Sequence, residues 1–118
     1  MNILICDDES LLLELYESEL SQIEACQIFT AADGLEGLEI LTNNEIDILL
    51  TDGKMPRMDG IKLVNEASRK GVLPRHVYLI TGYHGEYKDE ELKEMGIQKI
   101  IDKPVDFDWL INFVTKLD

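Results

Sequence analysis

The sequence predicts an α/β fold: a five-stranded parallel sheet, in the order 2-1-3-4-5, with helices on both faces. Three observations predict it. Short apolar runs of strand length alternate five times with stretches of helical periodicity. The runs are apolar throughout instead of switching between apolar and polar residues, as strands do when both faces are covered. And 118 residues, 45% of them hydrophobic, suit one domain spanning 1–118 with a core of its own.

In chain order, Ile3 to Cys6 is the first buried strand. Asp8-Glu9-Ser10 opens a helix whose stripe is Leu12, Leu15, Tyr16 and Leu20. Gln27 to Ala31 is the second strand, and Asp33-Gly34 opens a helix carrying Leu35, Leu38 and Leu41. Ile46 to Thr51 is the third strand; the loop Gly53 to Asp59 leads into a helix from Gly60 to Lys70, ended by Gly71. His76 to Thr81 is the fourth strand. Glu86 to Met95 is a helix with a thin apolar face, mainly Leu92 and Met95, closed by Gly96. Lys99 to Asp102 is the fifth strand, and Val105 to Leu117 a final amphipathic helix. Five βα units in succession suit the flavodoxin-like strand order, which places a ligand at the carboxyl ends of the first and third strands.

Composition excludes several classes. No apolar run approaches the roughly 20 residues of a membrane-spanning helix. The opening MNILICDDE lacks a positively charged leader, so the expected location is the cytoplasm. Cys6 and Cys26 sit in short apolar runs and read as buried thiols, with no CxxC or HxxxH spacing to suggest a metal pair. The net charge of −13, from 24 acids against 11 bases, disfavours direct nucleic-acid binding, which relies on Lys and Arg to neutralise phosphates. It leaves room for a cation site.

The residues just beyond each strand carry the chemistry. The first strand ends at Asp7-Asp8, the third at Asp52, the fourth at Thr81 and the fifth at Lys103-Pro104. Taken singly, each has an ordinary reading as a solvated, capping or turn residue. A parallel sheet puts all of them on one edge, where clustered acids repel unless a cation or a proton compensates. An ammonium reaching into such a group suits anion binding beside a metal.

Together with these residues, Asp52-Gly53-Lys54-Met55-Pro56-Arg57-Met58-Asp59-Gly60, Thr81-Gly82 and Ala32-Asp33-Gly34-Leu35-Glu36 resemble the CheY-like receiver domains of two-component response regulators, over essentially the whole chain. The resemblance implies a phosphorylation switch. Asp52 matches the phosphoacceptor. Asp7 and Asp8 match the acids that hold Mg²⁺ together with the Asp52 carboxylate and the backbone carbonyl of Lys54. Thr81 matches the hydroxyl that meets the phosphoryl group, Lys103 the cation paired with it, and the Lys103-Pro104 bond is expected to be cis. The implied partners are a histidine kinase or histidine phosphotransfer protein, a downstream protein target, and a possible second copy, in a role that is signalling and not enzymatic.

The pattern departs from the family at a few positions. Ile100 stands where members often carry Tyr or Phe, which rules out a hydroxyl-mediated switch there. Gly82 should leave access to the site open. Tyr83 and Lys54 occupy positions that influence how long the phosphate survives; we expect Tyr83 to screen attacking water and Lys54 to add positive charge. The helix near Glu86 to Met95 is either a plain polar surface helix or a weakly anchored one that moves on phosphorylation. Leu11 and Leu13 flank the first helix's stripe; one widens it, or Leu11 meets a transfer partner. His76 and His84 read as solvated or packed. A phosphatase-like hydrolase would want a second acid where Lys54 stands and a cap region that 118 residues cannot supply. A receiver kept only for binding would normally lose one of the acids or the lysine, and all are present. Met1 just ahead of the first strand favours a stand-alone receiver over a piece of a longer regulator or hybrid kinase.

Overall fold

The structure is a computed structural model that describes residues 1–117. Strands β1 (Asn2–Cys6), β2 (Gln27–Ala31), β3 (Ile48–Asp52), β4 (His76–Thr81) and β5 (Lys99–Asp102) alternate with helices α1 (Ser10–Leu20), α2 (Gly34–Asn43), α3 (Gly60–Arg69), α4 (Asp89–Met95) and α5 (Phe107–Thr115). The sheet order is β2-β1-β3-β4-β5, as expected, and every pairing is parallel.

Successive strand residues point to opposite faces, so one strand feeds two cores. Leu4, Cys6, Leu49, Val77 and Leu79 pack with Leu41 of α2, Leu63, Val64 and Ala67 of α3, and Leu92 of α4. Ile3, Ile5, Ile48, Leu50, Tyr78 and Ile80 face the other way, onto Tyr16 and Leu20 of α1 and Leu110 and Val114 of α5. Cys6 is buried in the first core, while Cys26, only partly buried, packs against the second; both thiols are free. Asp33, Asp59 and Asp106 each cap a helix by accepting a backbone N–H three residues on. Gly71, at φ 72°, follows α3 and Gly96, at φ 102°, follows α4 in the left-handed conformation that glycine adopts without penalty.

Two helix stripes differ from expectation. In α1, Leu13 joins Leu12, Tyr16 and Leu20 against the core, while Leu15 is 43% exposed. At about 100° per residue, Leu12, Leu13, Tyr16 and Leu20 fit one arc and Leu15 lies well outside it. In α2, Leu38, Ile40 and Leu41 pack inward and Gly34 and Gly37 are buried, but Leu35 lies outside, 43% exposed. Gly37 lets the helix approach β1 so closely that an added Cβ would stand 2.8 Å from the Cys6 sulfur. The third strand runs from Ile48 through Asp52, two residues later at its start than Ile46 suggested, and α5 is shorter at both ends. The helix expected from Glu86 begins only at Asp89, because His84–Glu86 form a separate 3₁₀ turn. Its apolar face is Leu92 with Met95, as expected.

Candidate functional site

All five strands end on one edge, so the residues after β1, β3, β4 and β5 meet there. Asp7 leaves β1 with its N–H donating to the Ala31 carbonyl at 3.0 Å. Its carboxylate is buried; Oδ1 accepts the Glu9 N–H at 2.9 Å. Asp8 is exposed beside it. Asp52 closes β3 with its side chain only 13% exposed. Ligand oxygens of Asp7, Asp8 and Asp52 all lie within 4.8 Å of one another.

Lys103 enters from the opposite side. Its backbone N–H donates to the Thr81 carbonyl at 3.0 Å, and the peptide to Pro104 is cis, as the resemblance implied. Its ammonium donates to Asp7 Oδ2 at 3.1 Å and to Asp52 Oδ2 at 3.2 Å. Thr81 Oγ1, fully buried at the end of β4, accepts the Tyr83 N–H at 3.0 Å, which leaves its own proton to be donated. The six residues singled out from the sequence thus converge, but Lys54 does so only through its backbone. Its N–H approaches Asp52 Oδ1 at 3.4 Å, while its ammonium turns away to Glu86 at 2.8 Å and lies 4.6 Å from the centre of the Tyr83 ring. The Lys54 ammonium, expected to add local positive charge, is thus paired with Glu86 beside the site.

Electrostatics follow from burial. Desolvation raises the Asp52 carboxyl above the ordinary value; Lys103 opposes the shift and the nearby Asp7 adds to it. Burial works to lower the Lys103 ammonium, but the hydrogen bond to Asp7 and the charge of Asp52 outweigh it and hold the lysine above its usual value. One ammonium among three carboxylates leaves negative charge uncompensated. The donors are all hard oxygens, the kind that suit a small divalent cation. Asp7, Asp8 and Asp52 would hold such a cation, which would supply the compensating positive charge.

The loop after β3 is braced by residues whose roles the sequence did not reveal. Gly60 lies so close to the Asp52 carbonyl that no side chain fits, and its N–H donates to the Gly53 carbonyl at 3.0 Å. Arg57 takes a left-handed φ of 66° and places Nη2 2.7 Å from Asp33 Oδ2. Asp33 also caps α2; the Glu36 N–H first, and then Arg57, hold its carboxyl below the usual range against the effect of burial. The signal for Asp33 was its place before Gly34 at a helix start. The pairing with Arg57, 24 residues away, left none. His84 is no plain solvated histidine: Nδ1 meets Asp102 at 3.0 Å and Nε2 meets Asp89 at 3.2 Å.

Comparison with known proteins is decisive. The family model of the response regulator receiver domain matches residues 3–115. The chain belongs to that family. The receiver domain is 34% identical over 116 residues to sporulation initiation phosphotransferase F of Bacillus subtilis, covering 97% of this chain and 90% of that protein. It is 33% identical over 114 residues to the transcriptional regulatory protein GlrR of Escherichia coli, covering 96% of this chain but only 25% of the relative. It is also 33% identical over 115 residues to the sensor histidine kinase RcsC of Escherichia coli, with 98% of this chain and 12% of that protein covered. The chain thus spans a quarter or less of those two longer relatives. Among solved structures, the response regulator receiver domain protein of Clostridium thermocellum superposes with a TM-score of 0.78 at 32% identity, covering 97% of this chain and 93% of that one. The response regulatory domain of protein mrkE from Klebsiella pneumoniae gives 0.83 at 26% identity, with 99% and 94% covered.

Proposed function

We propose that this receiver domain accepts a phosphoryl group on Asp52 from a histidine kinase or histidine phosphotransfer protein, in a reaction that needs Mg²⁺, and that the phosphorylated form binds its target differently. The observation that carries the reading is the Lys103 ammonium set between Asp7 and Asp52, at 3.1 and 3.2 Å, with Asp8 completing the acid cluster.

The roles follow from the positions. An Asp52 carboxylate oxygen forms the bond to phosphorus while the donor's P–N bond breaks, its electron pair leaving on the imidazole nitrogen. Lys103 draws a phosphoryl oxygen and offsets its charge, and the Thr81 hydroxyl donates to another. Asp7, Asp8, the second oxygen of Asp52 and the Lys54 carbonyl would hold Mg²⁺. When bound, the cation supplies the positive charge that lets a carboxylate approach an anionic phosphoryl group. The residues contribute positioning and preset charge, so a small donor such as acetyl phosphate should serve as well.

The chain is read as one domain, 1–118, working in the cytoplasm, and a second copy is a candidate partner. Among the described residues no helix is long and apolar enough to cross a membrane. A hydrolase reading draws no support from position 54, whose ammonium is held by Glu86.

The test is incubation with Mg²⁺ and acetyl phosphate followed by intact mass. Wild type should gain one phosphate adduct and Asp52→Asn none. An adduct that persists in Asp52→Asn, or rapid turnover of unrelated phosphate esters, would overturn the reading.

A further inference from the structure

Between β4 and α4, the turn Tyr83–Tyr87 lies against the acceptor loop at three points. Glu86 holds the Lys54 ammonium at 2.8 Å, the Tyr83 ring lies 4.6 Å from it, and the phenol oxygen of Tyr87 stands over Gly53. The last contact is close enough that a Cβ on Gly53 would collide with the Tyr87 hydroxyl and come within 3.0 Å of its ring carbon Cζ. The turn carries backbone hydrogen bonds of its own. The Glu86 N–H donates to the Tyr83 carbonyl at 2.9 Å and the Tyr87 N–H to the His84 carbonyl at 3.0 Å. From behind, His84 anchors it to Asp102 after β5 and to Asp89 at the start of α4. The Tyr87 ring packs against the core beneath α2, α3 and α4.

Gly53 and Lys54 are the two residues between the Asp52 carboxylate and the Lys54 carbonyl. An exposed Lys–Glu pair by itself stabilises little. Coupled to an aromatic wedge on the neighbouring glycine, it removes freedom from the peptide that must aim that carbonyl. Support from outside the ligand set is what orients the ligands of a metal site.

We propose that Glu86 and Tyr87 are positioning residues for the cation site: together they clamp Gly53–Lys54 so that the Lys54 carbonyl stands ready for a divalent ion. The proposal rests on the reading of Asp7, Asp8, Asp52 and the Lys54 carbonyl as the cation's ligands. It concerns residues outside that set, and it explains why position 53 is glycine.

Titration of the unphosphorylated protein with Mg²⁺ by calorimetry tests it. Tyr87→Ala should weaken Mg²⁺ binding by roughly tenfold, the lower end of what losing an outer partner of a metal site costs. Gly53→Ala should do the same by pushing Tyr87 aside, and the double variant should be no worse than either single, because both break one contact. Tyr87→Phe, which keeps the ring but loses the oxygen over Gly53, should fall between wild type and Tyr87→Ala. Glu86→Gln, an exposed change that cannot unfold the domain, should weaken binding by about two- to threefold, an effect that fades in high salt. Additive losses in the double variant, or Mg²⁺ affinities that match wild type in Tyr87→Ala and Glu86→Gln, would overturn the clamp. Wild type that takes up no Mg²⁺ would overturn the reading of the site itself, a result visible before any variant is made.

Discussion

At Asp52 the fold works against its own stability. Burial and the neighbouring Asp7 push the carboxyl upward, so the folded chain holds an ionised Asp52 at some cost in neutral solution, only partly offset by Lys103. Without added metal, Asp52→Asn should therefore melt a few degrees higher than wild type, the usual exchange of stability for function at a charged site. Mg²⁺ should raise the Tm of wild type and leave that of the variant nearly unchanged, which differential scanning calorimetry can follow. His84 gives a second prediction. Its hydrogen bonds to Asp89 first and to Asp102 raise its basicity above the ordinary 6.5, against a small opposing effect of burial. A histidine raised in the folded state stabilises fully below its ordinary value, and the gain is lost as pH rises through the folded value. The stability deficit of His84→Gln should accordingly be largest below about pH 6.5 and shrink as pH rises above it in denaturant titrations. A deficit independent of pH would mean that the ring matters only as a neutral hydrogen-bonding group.

Within the elements, glycine decides how closely helix and sheet approach. Gly37 lies inside α2, where Ala is intrinsically better by about 1 kcal/mol. A Cβ there would stand 2.8 Å from Cys6 Sγ and 3.2 Å from a Leu63 methyl, both fully packed. Overpacking of a tight core costs about 1–3 kcal/mol. The crowding should win, so Gly37→Ala should lower the Tm despite its higher helix propensity, measured by circular dichroism. The stripes of α1 and α2 teach the same point. Their periodicity is legible in the sequence, but an apolar arc can be centred in more than one way. Leu15 and Leu35 fit a helical spacing as well as Leu13 and Gly37 do. Only the position of the sheet beneath each helix shows which side is covered. The start of α4 escapes the sequence for a related reason: Glu86, Tyr87 and Lys88 include no glycine or proline to separate the preceding turn from the helix beyond it.

Across the whole molecule, the acid cluster opens at one sheet edge, and α1 begins beside it, three residues after Asp7. Leu11, in the first turn of α1, is 79% exposed and contributes nothing to either core. If a phosphotransfer partner docks across this edge, Leu11→Lys should slow transfer from that partner several-fold. Phosphorylation by acetyl phosphate should be unaffected, since a small donor needs no docking surface. Equal slowing with both donors would place the effect in the chemistry instead.

The sequence by itself determined the strand and helix order, the parallel sheet and the residues that end each strand. These depend on local spacing and on one general rule, that parallel strands finish on a common edge. That rule alone brings Asp7, Asp8, Asp52, Thr81 and Lys103 together without any coordinate. Tertiary structure alone decided which way the Lys54 side chain turns, that Arg57 reaches Asp33, that His84 joins two aspartates and that Tyr87 rests on Gly53. Those contacts join loops from different βα units, where no periodicity relates one residue to its neighbour, so packing in three dimensions had to choose them.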